Sequence, residues 1–222
     1  MISWLVFRTY QELGKRGSED PLVWEADIVA FETAARSEPP PENAVVFVGS
    51  SSIRFWDSLV EDMAPIPVIQ RGFGGAKLND VVHYADRLVN VYQPSAVVIF
   101  AGSNDMTPGD TKTPAQLLAS YKQFVAKVRI HNPALPIYYI AITPSPRRWE
   151  IWPNAHAANA IIKEYSGATS GLFFIDTGQA LMDADGEPDM ANYRIDKLHL
   201  SEQGYKVWTR IVRAKLLETL PE

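Results

Sequence analysis

Three serines in succession, Ser50, Ser51 and Ser52, follow Gly49, and far along the chain Asp196 stands three residues before His199. A hydroxyl becomes an effective nucleophile when an imidazole takes its proton and a carboxylate orients that imidazole, so these residue types allow acyl transfer through a covalent intermediate. The reaction also needs N–H donors aimed at the oxygen that turns negative as the carbonyl is attacked. Ser51 sits where an apolar run gives way to a helix start, which puts its amide at the positive end of that helix. Gly75 has no Cβ and lets the backbone approach a ligand closely. Asn104 supplies a side-chain N–H of a kind whose loss typically costs about 3 kcal/mol of barrier. At a spacing of three, Asp196 and His199 are expected to share one face of a helical turn.

These residues need a frame that brings them together. Five short apolar runs, residues 44–48, 67–70, 96–100, 137–142 and 172–175, read as strands. Their apolar character is nearly continuous, as expected of parallel strands buried on both faces. Between them, Leu78, Val81, Val82, Ala85, Leu88 and Val89, and then Leu117, Leu118, Tyr121, Phe124, Val125 and Val128, recur at helical spacing. Two more helices are expected near residues 22–35, ended by Pro39-Pro40-Pro41, and near 201–216, capped by Ser201. The alternation predicts an α/β fold, a three-layer α/β/α sandwich around a parallel sheet with right-handed crossovers. In open parallel sheets the binding crevice lies beyond the carboxyl ends of the strands. Gly49 to Ser52, Gly72 to Gly75 and Gly102 to Asp105 follow the first three strands, and Asp196 and His199 come after the fifth, so all converge on one rim.

The chain has 222 residues, suited to one domain, with residues 1–40 as an N-terminal extension whose helix packs on the core. Its net charge of −5 comes from mixed acidic and basic residues with no basic stripe, which argues against a nucleic-acid partner. It has no cysteine, so disulfides, thiolate metal sites and cysteine nucleophiles are excluded. The apolar opening, residues 1–7, is too short to span a membrane and lacks a basic flank or a small-residue cleavage site, so a cytoplasmic location is expected.

Four blocks, taken in order, resemble a known family, the SGNH or GDSL-like hydrolases. Gly49-Ser50-Ser51 resembles the family's opening Gly-Asp-Ser, with serine in place of the usual aspartate at position 50. Gly75 matches its second-block glycine, Gly102-Ser103-Asn104-Asp105 its G-x-N-D block, and Asp196-Lys197-Leu198-His199 its D-x-x-H block. The resemblance implies a flavodoxin-like five-stranded sheet of order 2-1-3-4-5. It also implies a Ser51, His199, Asp196 triad and an oxyanion hole from the Ser51 and Gly75 amides with Asn104. Aligning Gly49 and Trp56 with the family block without a gap selects Ser51 over its neighbours Ser52 and Ser50. The implied activity is hydrolysis of carboxylic esters of small molecules without a cofactor or metal, failing at acid pH as the histidine charges near pH ~6.5, and the aromatic residues of the loop after the fourth strand point to short-chain acyl or acetyl groups. Sugar-ester deacetylation and thioester cleavage are the alternatives within enzymes, and a non-catalytic module holding a carboxylate or phosphate at the serine turn is the alternative outside them.

Other features have plainer readings. His83, His131 and His156 are expected to be non-catalytic, and Asp183-Ala184-Asp185-Gly186 to form a turn, because it lacks the further oxygen ligands of a calcium loop. Arg147 and Arg148 read as solvated arginines. Trp56, Phe73, Trp149 and Trp152, the last two in a Pro-rich loop after the fourth strand, are expected to line a tight acyl or aryl pocket.

Overall fold

The computed structural model describes residue 15 and residues 18–108 and 111–220, so the apolar opening and the inference about location drawn from it lie outside the described residues. Five strands form one parallel sheet: β1 Val45–Gly49, β2 Val68–Gly72, β3 Ala96–Phe100, β4 Ile137–Ile140 and β5 Leu172–Ile175. Their order is β2-β1-β3-β4-β5, as the family resemblance implied. The continuous apolar runs follow from burial on both faces. Along β1, Val46 and Val48 enter one core while Val45 and Phe47 enter the other. In β4, Ile137 and Tyr139 are divided from Tyr138 and Ile140 in the same way.

Helices cover both faces. On the first side lie α1 Glu25–Ser37, α4 Leu78–His83, α5 Ala85–Leu88, α6 Pro114–Val128 and α7 Trp152–Gly167, which contribute Ile28, Leu78, Leu88, Phe124 and Ile162 to that core. On the second lie α2 Ser51–Arg54, α3 Leu59–Met63 and α8 Glu202–Thr219, with Ile53, Met63, Trp208 and Leu216 buried against the sheet. The N-terminal helix opens with a 3-10 turn, Pro21–Trp24, capped by the Asp20 carboxylate on the Leu22 amide at 3.0 Å. The Ser201 hydroxyl caps α8 by accepting from the Gly204 amide. No helix among the described residues is long and apolar enough to cross a membrane.

For function, the decisive feature is that three strands end level. Gly49 pairs with Gly72 on one side and Phe100 on the other, so the loops after β1, β2 and β3 leave the sheet side by side. Gly49 adopts φ +141°, and a Cβ there would lie 2.0 Å from the Phe100 carbonyl oxygen, which accepts the Ser50 amide at 2.9 Å. Only glycine permits that approach.

Candidate active site

Ser51 begins α2 directly beyond β1, half-exposed, while Ser50 before it and Ser52 after it are buried. The Ser50 carbonyl accepts the amides of Ile53 and Arg54, and the Ser52 carbonyl accepts the Tyr205 hydroxyl at 2.8 Å. Of the three serines, the structure brings Ser51 to the histidine: its Oγ lies 3.0 Å from His199 Nε2. On the other side of the ring, His199 Nδ1 lies 2.6 Å from Asp196 Oδ2. A hydroxyl, an imidazole and a carboxylate thus form a continuous chain of hydrogen bonds.

Asp196 and His199 do not share a helical turn. They occupy an irregular loop between Tyr193 and Leu200, which pair as an isolated antiparallel bridge, and Lys197 takes a left-handed φ of +59°. Asp196 makes the loop itself, because its Oδ1 accepts the Leu198 and His199 amides, each at 3.0 Å, while Oδ2 faces the imidazole. Burial alone pushes this carboxyl up, but hydrogen bonds from the His199 ring and the two amides outweigh it and hold the group at about 2. A carboxylate that stays charged keeps the Nδ1 proton in place and leaves Nε2 to face the hydroxyl. The rings of Phe55 and His199 meet nearly at right angles with centroids 4.9 Å apart, and the guanidinium groups of Arg54 and Arg194 lie over the Phe55 ring.

The loops carrying Gly75 and Asn104 are stitched together. The Asn104 Nδ2 donates to the Ala76 carbonyl at 2.9 Å, and the wholly buried Asp105 carboxylate accepts the Leu78 amide at 2.9 Å, capping α4 from across the gap. Lys112 Nζ, 2.8 Å away, balances the Asp105 charge. Gly75 has φ +83°, a backbone state that a side chain would strain. Arg148 is not the solvated arginine expected from the sequence: its Nη2 donates to Asn104 Oδ1 at 2.8 Å and its Nη1 to Ser103 Oγ at 3.2 Å. With the oxygen committed to Arg148 and one N–H to Ala76, the second Asn104 N–H is the one left for a ligand.

Ser51, Ser52, His199, Ser103, Arg148 and Trp152 are among the walls of a cleft of about 430 Å3, counted with its open mouth. Among the aromatic residues expected there, only Trp152 takes part, and it opens helix α7 rather than lying in a loop. Trp149 backs it, stacked at 6.0 Å. Trp56 and Phe73 are core residues, not pocket residues: Trp56 is packed against Tyr205 and Trp208 with its Nε1 donating to Asp62, and Phe73 lies edge-on to Trp24. Arg147 is exposed, and its amide donates to the Lys197 carbonyl. His83, His131 and His156 are exposed and stand outside the Ser51 chain of hydrogen bonds. Asp183 forms the expected turn, its Oδ1 accepting the Asp185 and Glu187 amides. Among the described residues no three His, Asp or Glu side chains gather as a metal site.

Residues 40–207 match the model of the GDSL-like lipase/acylhydrolase family. A search of curated protein sequences gave no match. Among solved structures, a GDSL-like lipase from Bacteroides thetaiotaomicron superposes with a TM-score of 0.74 at 20% identity, covering 87% of this chain and 98% of the other. A carbohydrate esterase family 3 protein from Talaromyces cellulolyticus gives 0.62 at 18% identity, covering 79% and 97%. The lipase/acylhydrolase from Enterococcus faecalis gives 0.60 at 18% identity, covering 81% and 99%. At these identities the likeness is one of fold.

Proposed function

The chain belongs to the GDSL-like lipase/acylhydrolase family, and on that premise we propose that it hydrolyses carboxylic esters through an acyl-enzyme on Ser51. The observation that carries this reading is the hydrogen-bonded chain from Ser51 Oγ through His199 to Asp196, at 3.0 and 2.6 Å. His199 Nε2 takes the Ser51 proton as Oγ attacks the ester carbonyl. The resulting oxyanion is met by the Ser51 and Gly75 amides and by the free N–H of Asn104. As the intermediate collapses, the ester C–O bond breaks and His199 returns the proton to the departing alcohol oxygen. Water, deprotonated by the same imidazole, then releases the acid and restores Ser51. No step calls for a metal or organic cofactor.

The small volume of the cleft, about 430 Å3 even with its open mouth, favours short acyl groups. The likeness in fold to a carbohydrate esterase is compatible with deacetylation of sugar esters as the second reading. A module that merely binds carboxylate or phosphate at the serine turn would have no use for a carboxylate held charged behind the histidine.

The test is hydrolysis of p-nitrophenyl esters from acetate to decanoate by wild type and Ser51→Ala, with intact-mass detection of a serine-reactive phosphonate adduct. The reading expects turnover and labelling of the wild type, neither in the variant, and a preference for the shortest chains. Turnover or labelling that survives Ser51→Ala moves the nucleophile elsewhere, and a wild type without either overturns the assignment.

A further inference from the structure

Beside the cleft lies a second hollow that the proposed chemistry does not use. It opens beyond the end of β5 and encloses about 900 Å3, against about 430 Å3 for the cleft, both counted with their open mouths. Trp152 stands in the wall of both. From there the trough follows one face of α7, where His156 and Lys163 lie four and eleven residues on, and crosses to Phe174, Asp176 and Gln179.

The polar groups facing this trough keep bonding capacity to spare, although Asp176 Oδ1 accepts the Gly178 amide at 3.2 Å and the His156 ring packs on Trp152. The His156 and Gln179 side chains are exposed and make no hydrogen bond with a described residue. Lys163 Nζ and Asp176 Oδ2 are 3.9 Å apart, with more than half of each side chain exposed, a loose pair that water screens. The trough therefore offers an ammonium, an amide and an imidazole to donate, a carboxylate and an amide oxygen to accept, and two aromatic rings. An acyl chain would have to desolvate the charged pair. A phosphate would meet the Asp176 carboxylate as well as Lys163. Vicinal hydroxyls, each able to donate and accept, suit this mixture, and the C–H faces of a sugar ring suit aromatic walls.

We propose that the trough is the subsite for the alcohol half of the ester, and that this alcohol is a polyol such as a sugar ring. The proposal rests on the ester-hydrolase reading and extends it: the cleft holds the acyl group, Trp152 divides the halves, and the polyol oxygen leaves with the proton returned by His199. His156, Lys163, Asp176 and Gln179 then set specificity without touching the reacting atoms.

The experiment compares kcat/KM for 6-O-acetylglucose, which keeps its other hydroxyls free, and for p-nitrophenyl acetate in wild type and in the His156→Ala, Gln179→Ala double variant, both positions being on the surface. The ratio of the two values should fall about tenfold in the double variant, the size expected for one or two lost hydrogen bonds. A ratio that does not move overturns the subsite, whatever happens to the separate rates. Binding is measured independently by titrating Ser51→Ala with methyl β-cellobioside and following backbone amide chemical shifts. Shifts centred on His156, Gly178 and Gln179 are expected; their absence, or their appearance with dodecanoate in place of the glycoside, overturns the polyol assignment. A wild type inert toward every ester defeats the hydrolase reading instead, and the titration still decides the trough.

Discussion

Replacing Arg148 with methionine isolates the part this arginine plays in aiming Asn104. In the native protein the Asn104 amide is fixed by Arg148 Nη2 on its oxygen at 2.8 Å and by the Ala76 carbonyl on its nitrogen at 2.9 Å. Without the guanidinium only the Ala76 bond remains. A neutral bond of about 1 kcal/mol net favours the present orientation roughly fivefold, so flipping alone costs less than a factor of two in rate. The substitution also leaves a buried amide oxygen without that partner, a penalty of about 1–3 kcal/mol that the side chain can relieve by rotating away from the cleft. The ceiling is set by Asn104→Ala, which removes the donor altogether and should cost about 10²–10³ in kcat. Between these limits, Arg148→Met should lower kcat on p-nitrophenyl acetate roughly tenfold and leave KM nearly unchanged. The assay is a double-mutant cycle, in which Arg148→Met made on Asn104→Ala should cost less than about twofold because nothing is left to aim. An equal loss in both backgrounds refutes the reasoning, and a rise in KM alone would make Arg148 a substrate contact.

Three other expectations follow from the geometry. Because His199 must be neutral to accept the Ser51 proton, kcat/KM should fall toward acid as the imidazole charges; a profile flat from pH 5 to 8 contradicts the role. Two of the shifted carboxyls pull stability in opposite directions. Asp196, lowered to about 2, stabilises the fold above its ordinary 3.8 and loses that contribution as pH falls from about 4 to 2, whereas burial raises Asp80 to about 6, so its contribution declines as pH rises from about 4 to 6. Urea midpoints for wild type, Asp196→Asn and Asp80→Asn across this range should show the Asp196 difference closing in acid and the Asp80→Asn curve flattening; matching slopes for all three would sink the assignment. Gly49→Ala should destabilise by more than about 3 kcal/mol, read by thermal unfolding, because the new methyl meets the Phe100 carbonyl at 2.0 Å; a near-native melting temperature would mean that the strand ends yield.

The sheet was legible because each strand is buried on both faces, so its apolar run is unbroken, and the residues at 96–100 and 172–175 needed no correction. Three of the four family blocks were legible because they sit in the loops that leave β1, β2 and β3 where those strands end level, and the fourth, Asp196 to His199, because of its residue types and spacing. Other features left little trace in the sequence. The start of helix α7 reads as loop because the positions it buries are Ala155, Ala158, Asn159, Ile162 and Ser166, mostly small or polar residues that give weak periodicity. Trp56 and Phe73 stand close in sequence to Ser51 and Gly75, but sequence proximity does not say which side of a turn faces the core. A spacing of three fits a helical turn and an aspartate-centred loop equally well, and only the Lys197 backbone distinguishes them. Arg148 gave no signal, since its partners lie more than forty residues away.

The loop that bears His199 is anchored to the segment after β4 at two points, the Tyr193 hydroxyl on the Pro144 carbonyl and the Arg147 amide on the Lys197 carbonyl. A displacement of either piece is therefore transmitted to the other, so the imidazole and the Arg148 guanidinium behave as one mechanical unit clamped over the serine. For protein engineering this defines the transplantable cassette. Residues 193–200 grafted onto a related scaffold without 144–148 would bring the acid–base pair but lose the brace that holds it in register.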